Sequence, residues 1–391
     1  MISFRKRHVW LSAIGAIVAL TALLLGFAER AVPASPPDAV QESSKPVVFD
    51  KRWREHTIEV GLHIVNIHQF SMKDKVYFVE GWYWLRWPRA IQKIIKDGPL
   101  KLREIVEFKN VVEAASPEVE RDSDAPVPLD RNGHELEPID KRNAINFFQL
   151  FKFSGRFYVD DLNLRRSPFE TFDLPVIVET RPDPLSCEKQ GPNCVYLKPY
   201  PENEESLVGE FAEINGFKLI GSSIAPTIHQ YATNFGMGDP SAFGRVEYSI
   251  RYQTDFWSAF LQHVLPVLII LAFVLVSPSL PSSMGDVRLA IPATALLTLI
   301  FMQQTYRAEI PSLSYLTFMD WLYAFAYIVS MSLFILFCWG AYRYAVASEA
   351  DQPATVARIG RIDTAFQRLA ILGLGLTVLL AWVFTASNGP V

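Results

Sequence analysis

Gly285-Asp-Val-Arg-Leu-Ala-Ile-Pro-Ala-Thr-Ala-Leu-Leu-Thr-Leu-Ile-Phe-Met-Gln-Gln-Thr-Tyr306 is the stretch on which the reading of this chain turns. From Val287 to Tyr306 it is apolar and long enough to cross a ~30 Å hydrocarbon core as a helix. Yet it carries Thr294, Thr298, Gln303, Gln304 and Thr305, polar groups that are costly in lipid unless they face protein or water. At helical spacing, Ala290, Thr294, Leu297, Phe301, Gln304 and Ala308 share one stripe, and Asp286 lies one turn below it. A stripe mixing an acid, a threonine, apolar residues and an amide is a poor lipid face. Two environments accept it. One is the wall of a narrow water-filled pore; the other is a packed bundle in which Thr and Gln bond across to neighbouring helices.

Three further stretches near it read as spans: 256–276, 315–342 and 364–385, with the second span at 287–306. The connections are short except for the charged segment Arg343–Asp363. Charge separates this region from the rest of the 391 residues. From Phe256 to Val391 there are six Arg, no Lys and six Asp or Glu, which leaves 66 of the 78 charged residues in the first 255 positions. Such an uneven distribution predicts a soluble domain joined to an all-α membrane domain over 256–386. Arg288, Arg343, Arg358 and Arg361 fall on one side of the membrane if the front domain lies outside, in keeping with the positive-inside tendency.

The front domain, 47–255, alternates in the β manner. Ile58–His68 and Lys75–Trp87 are such runs, and Asn146–Lys152, Leu174–Glu179, Phe217–Ser222 and Val246–Tyr252 add more. Short strands separated by Gly, Pro, Asn and Asp clusters predict an all-β, Ig-like sandwich. At the N-terminus, basic residues from Arg5 to His8 precede an apolar run from Val9 to Phe27 and a small-residue pattern at Val32 and Ala34. Residues 1–34 read as a signal peptide or an uncleaved anchor, and 35–46 as a linker. Cys187 and Cys194 flank a Gly-Pro-Asn loop. In an exported compartment they pair as a disulfide; the alternative is two free thiols. Cys338, inside an apolar span, reads as packing.

Asp161-Leu-Asn-Leu-Arg-Arg-Ser-Pro-Phe-Glu-Thr-Phe-Asp-Leu174 resembles the signature loop of the prokaryotic pentameric ligand-gated ion channels, relatives of the Cys-loop receptors. Trp82-Tyr-Trp-Leu-Arg-Trp87 resembles that family's second strand and Leu265-Pro266 its first-helix proline. Asp286 to Pro311 fits its pore helix and following linker without a gap. The loop departs from the family in carrying Glu170 where Asp is usual. Thr254 stands where an Arg often pairs with the loop, with Arg251 nearby. Pro292 inside the pore helix is also unusual.

The resemblance implies a homopentamer around a central pore in a bacterial inner membrane, with the N-terminal domain and the C-terminus periplasmic. Asp286 then forms a ring of five carboxylates that favours cations, or caps the helix start. Arg307, at the outer end, opposes that selectivity. Thr294 offers hydroxyls to ions, and Ala290 and Gln304 complete the lining. Leu297 and Phe301 are candidates for a hydrophobic gate, unless the helix is rotated so that Phe301 packs between subunits. Pro168, Phe169 and Glu170 are expected to press on the linker near Pro311. Asp74 joins that contact or is a plain turn residue. The ligand site is implied under a hairpin at His229–Asp239, with Tyr231, Phe235 and a facing subunit's Trp84 as an aromatic box, or as core. The run Glu118–Asp124 reads as a calcium site or a solvated loop, and histidines or carboxylates could sense protons. The activating signal is thus an unknown small ligand, a proton or calcium, and the other partners are membrane lipid and permeant ions.

Other classes fit less well. There is no nucleophile elbow, metal-spaced His or Cys pair, or Gly-rich phosphate loop, so an enzyme, a metal centre and a cofactor are not expected. No basic block suggests nucleic acid, and no internal repeat suggests a secondary transporter. The alternative within the same architecture is a non-conducting membrane-anchored sensor.

Overall fold

The structure is a computed structural model that describes residues 43–46, 51–97, 106–112, 118–121, 126–137, 143–180, 195–201, 207–233 and 242–387. The leader at 1–34, the cysteines 187 and 194, and Phe235 lie outside the described residues. Among those described, the chain divides into two compact units. One is made by residues up to 162 and from 171 to 255, the other by 163–170 and everything from Phe256 onward.

The first unit is a β-sandwich-like pair of sheets. One sheet has the order β1 (Ser43–Pro46), β11 (Phe217–Gln230), β12 (Ala242–Thr254), β8 (Thr171–Thr180), β4 (Val106–Phe108). The other has the order β10 (Val208–Phe211), β2 (Thr57–Ser71), β3 (Val76–Pro88), β7 (Asn146–Tyr158), β5 (Glu118–Arg121). β6 (Val127–Leu129) also pairs with β7, and β9 (Tyr196–Pro199) pairs in parallel with β2. The period-2 pattern of β3 buries Tyr77, Val79, Gly81, Tyr83, Leu85 and Trp87. Tyr77 stacks on Phe157 of β7, and Tyr83 meets Phe151 and Phe153; Leu174, Val176, Val246 and Ile250 of the other sheet are buried as well. Buried tyrosines tie the two sheets together. Tyr248 donates to the Val60 carbonyl at 2.6 Å, and Tyr77 donates to the Pro175 carbonyl. Burial raises the pKa of both hydroxyls, so they remain donors. Tyr248→Phe removes this cross-sheet bond while the Val60 carbonyl keeps the Tyr200 N–H at 2.8 Å, and should lower stability by about 1 kcal/mol, read as a lower thermal midpoint.

Two sequence boundaries move here. Ser43–Pro46, read as linker, is an edge strand paired with Thr227–Gln230. Being short and carrying a Pro, it has no alternation to read. Glu118–Arg121, read as part of a calcium-binding or solvated loop, forms β5 against Phe151–Ser154. A single helical element, α1 (Arg89–Asp97), follows β3.

The second unit holds four helices long and apolar enough to cross a membrane, so the chain is a multi-pass membrane protein. They are α2 (Phe256–Ser279), α3 (Gly285–Glu309), α4 (Phe318–Val346) and α5 (Gln352–Ser387). Within α2, a π-helical turn at Phe260–Val264 precedes Pro266; proline has no N–H to donate, and the ladder shifts register ahead of it. Val274, Leu275, Ala295, Val329, Leu333, Phe337 and Ala370 form the shared core of all four helices.

The spans differ from their expected limits chiefly at α5. It starts at Gln352 rather than Thr364 and α4 runs to Val346, so only 347–351 connects them. The charges of Arg343–Asp363 read as linker, but Arg343 lies on the end of α4 and Arg358, Arg361 and Asp363 lie on α5, with only Glu349 and Asp351 in the connection. A 36-residue helix is ~54 Å long, well beyond the hydrocarbon core, and Pro353 sits in its first turn, where proline is tolerated. The third span starts at Phe318 rather than Tyr315, because Thr317 is its N-cap. Thr317 and Asp320 form a reciprocal capping box.

Candidate functional site

The face of α3 sorts its residues cleanly. Arg288, Pro292, Ala295, Leu299 and Tyr306 are buried against the other helices. Asp286, Ala290, Thr294, Leu297, Phe301, Gln304 and Ala308 are all exposed. Leu297 is 55% and Phe301 64% exposed, while Leu299 between them is 0%. The two adjacent amides divide between these faces. Gln303 Oε1 accepts from the Tyr327 hydroxyl of α4 at 2.7 Å, which is the bundle role open to either glutamine. Gln304 and the hydroxyl of Thr294 make no hydrogen bond among the described residues. Thr298 and Thr305 donate back to the carbonyls of Thr294 and Phe301, the usual way a helix satisfies a hydroxyl locally.

At the start of α3, Asp286 is exposed and has no ion-pair partner among the described residues. The N-cap is Met284, and no side chain caps there. Asp286 is therefore not the capping residue, although the first turn still favours its charge. The helix's two arginines behave differently. Arg288 is buried, donates to the Asp363 carboxylate of α5, and lays its guanidinium 4.2 Å from the centre of the Phe337 ring. Arg307 donates to Asp320 Oδ1 of α4 at 2.7 Å. Asp320 is 4% exposed and also accepts from the Thr317 backbone N–H at 2.8 Å and hydroxyl at 2.9 Å. Neither pairing was read from the sequence. The signals available were an acid inside an apolar stretch (Asp363) and the Thr-x-x-Asp spacing of a helix start.

The loop 163–170 groups with the helices. The Phe318 N–H donates to the Arg165 carbonyl at 2.8 Å, and the Leu164 N–H to the Tyr315 hydroxyl at 3.0 Å. Arg165 lies over the Tyr315 ring at 4.4 Å and Arg166 over Trp382 at 5.3 Å. Pro168 follows a cis peptide bond. Phe169 stacks on Phe256 at 5.0 Å and meets Phe318 and Trp382 edge-on, and Glu170 is buried. These contacts fall on Tyr315 and Phe318, at the end of the linker that follows Pro311, residues that supply a hydroxyl, a ring and a helix-start N–H. The Arg251 guanidinium binds the Asp173 carboxylate in a bidentate pair at 2.7 and 2.9 Å. Asp74 is held within its own turn, accepting from the Ser71 hydroxyl at 2.7 Å.

In the sandwich, Tyr231 is engaged within the chain. Its hydroxyl donates to Glu179 Oε1 at 2.6 Å, and its ring meets His229 and Phe243. Glu179 is fully buried and also binds Arg245 at 2.7 Å and Lys109 at 3.3 Å. Burial and the Glu179 hydrogen bond push the Tyr231 hydroxyl up to about 12. For Lys109, burial alone would lower the pKa, but the Glu107 and Glu179 carboxylates outweigh it and the group stays charged. Trp84 lies across Gly61, where any Cβ would collide with the indole, and meets Tyr200 edge-on at 5.7 Å. Cys338 is a free thiol in α4. Among the described residues there is no cluster of three or more His, Cys, Asp or Glu that could hold a metal.

Set beside known proteins, the chain matches no family model, and no curated protein matches it significantly.

Proposed function

We propose that the chain is one subunit of a ligand-gated ion channel, a homopentamer with an Ig-like outer domain whose α3 helices surround a cation-selective pore. One observation carries this reading. The chain's own fold fills one face of α3 and leaves the opposite face bare, and that face holds an acid, an unpaired threonine, two large apolar residues and an amide in line. Five copies around an axis would give it a common environment. The order of chemistry along it suits conduction. Asp286 would concentrate cations at one mouth, Thr294 would share their hydration, and Leu297 and Phe301 would close the passage by dewetting.

The contacts of Phe169, Arg165 and Arg166 support a gating role for loop 163–170. The loop is covalently continuous with β8, and its aromatic and backbone contacts fall on the starts of α2 and α4 and the end of α5. A ligand that binds one arrangement of the sandwich better would shift a two-state equilibrium through it. Tyr231, anchored to Glu179, and Trp84 of the facing subunit remain the proposed ligand-contacting residues. Arg343, Arg358 and Arg361 are exposed near one set of helix ends, which supports that end facing the cytoplasm of a bacterial inner membrane.

The test is electrical. Purified protein in liposomes, or expressed in voltage-clamped cells, is stepped through pH, calcium and small amines while permeant ions are exchanged. Current that follows sodium or potassium is expected, and Leu297→Ser should add a standing leak roughly tenfold above the resting wild-type current, since a hydroxyl rehydrates the constriction. Silence of both proteins under every condition would defeat the channel reading.

A further inference from the structure

The four charges of α3 are Asp286, Arg288, Arg307 and Glu309, and by sequence they cancel. Their surroundings do not treat them alike. Each arginine is matched by an acid from an outer helix, Arg288 by Asp363 of α5 and Arg307 by Asp320 of α4. Both acids are nearly fully buried. The two acids of α3 itself are exposed. Asp286 has no ion-pair partner among the described residues, and Glu309 has only His263, whose Nε2 stands 3.9 Å away. The helix that balances on paper is therefore acidic at both ends where it meets solvent.

From this we infer that Asp320 is a specificity-determining positioning residue. It draws the Arg307 guanidinium onto α4 and compensates its charge, so that the outer mouth of the channel is set by Glu309 rather than by a ring of five arginines. The inference rests on the channel reading. Its geometry is specific. The Asp320 carboxylate is itself fixed by the Thr317 N–H and hydroxyl, and the Tyr306 hydroxyl of α3 lies 3.2 Å from that same Thr317 oxygen. Arg307 is thus held by an anchored partner and not by a mobile surface acid. Its side chain is only one-third exposed, so most of its solvent field is removed along with its charge.

The test compares three proteins under an asymmetric salt gradient: wild type, Asp320→Asn, and Asp320→Asn with Arg307→Gln. Asparagine keeps an oxygen for the Thr317 capping bonds and removes only the counter-charge. The cation-to-anion permeability ratio of Asp320→Asn should fall roughly threefold or more, because mouth charge sets local ion concentration. The double variant should return to the wild-type ratio, since a neutral pair has been removed as a unit. A purely structural role for Asp320 would alter expression or gating but leave the ratio unchanged. An unchanged ratio in a conducting Asp320→Asn channel would overturn the inference while leaving the channel reading intact. So would a double variant more cation-selective than wild type, which would mean that Arg307 acts as a free cation at the mouth. If Asp320→Asn fails to assemble, the double variant alone decides between these outcomes. Absence of current in wild type would instead fail the channel reading itself.

Discussion

Replacing Asp286 by lysine should invert the charge selectivity, so that the reversal potential follows chloride instead of sodium or potassium. In the proposed pentamer the substitution changes five exposed carboxylates into five ammonium groups at one mouth. At an effective dielectric near 20, a unit charge about 6 Å from an ion is worth roughly 3 kcal/mol. Water in the pore and salt screening, with a Debye length of about 8 Å, will cut this severalfold. Even about 1 kcal/mol per side chain, summed around a ring, exceeds the ~1.4 kcal/mol that makes a tenfold preference. The two arginines of the helix itself do not compete. Arg288, two residues on, is buried against Asp363, and Arg307 is held by Asp320 at the far end. Asp286→Glu should keep the wild-type ratio, as the charge is retained. A conducting Asp286→Lys protein whose reversal potential still follows cations would remove Asp286 from the selectivity role.

Much of the architecture could be read from local pattern, and what escaped was non-local. The alternation of Val76–Pro88 and the apolar length of Gly285–Glu309 are properties of consecutive residues. So is the division of α3 into two faces, which the stripe through Thr294, Leu297 and Phe301 anticipated at 3.6-residue spacing. The start of α5 was missed because Arg358, Arg361 and Asp363 suggested a linker, whereas charge forbids lipid, not helix. β1 was missed because an edge strand of four residues has no buried face to reveal it. The pairing of Arg288 with Asp363 joins residues 75 apart in the chain; no spacing rule predicts which acid meets a given arginine. The same holds for Glu179, whose three partners come from the residue after β11, from β12 and from the segment after β4 only once the sheet has formed. Loop 163–170 was legible as a motif, but its docking on Tyr315 and Phe318 depended on where the α4 N-cap fell.

The second large effect should appear at Asp363. Asp363→Asn keeps the size of the side chain and removes the counter-charge of a guanidinium that is 4% exposed. Removing one partner of a buried pair costs about 3–5 kcal/mol, because the remaining charge is left in a medium that cannot solvate it. The Phe337 ring face, 4.2 Å from the Arg288 guanidinium, offsets only a part, on the order of 2 kcal/mol for a desolvated cation on an aromatic. The site also couples helices rather than decorating one, since Arg288 belongs to α3, Phe337 to α4 and Asp363 to α5. Loss of the pair should therefore lower the thermal midpoint of the detergent-solubilised protein and reduce the yield of assembled oligomer. Replacing both charges, Arg288→Met with Asp363→Leu, should restore or exceed wild-type stability, because well-packed apolar side chains commonly replace a buried pair without loss. That rescue separates charge from packing. If Asp363→Asn is as stable as wild type, the pair contributes nothing; if the double variant is as unstable as the single one, shape and not charge is what this site requires.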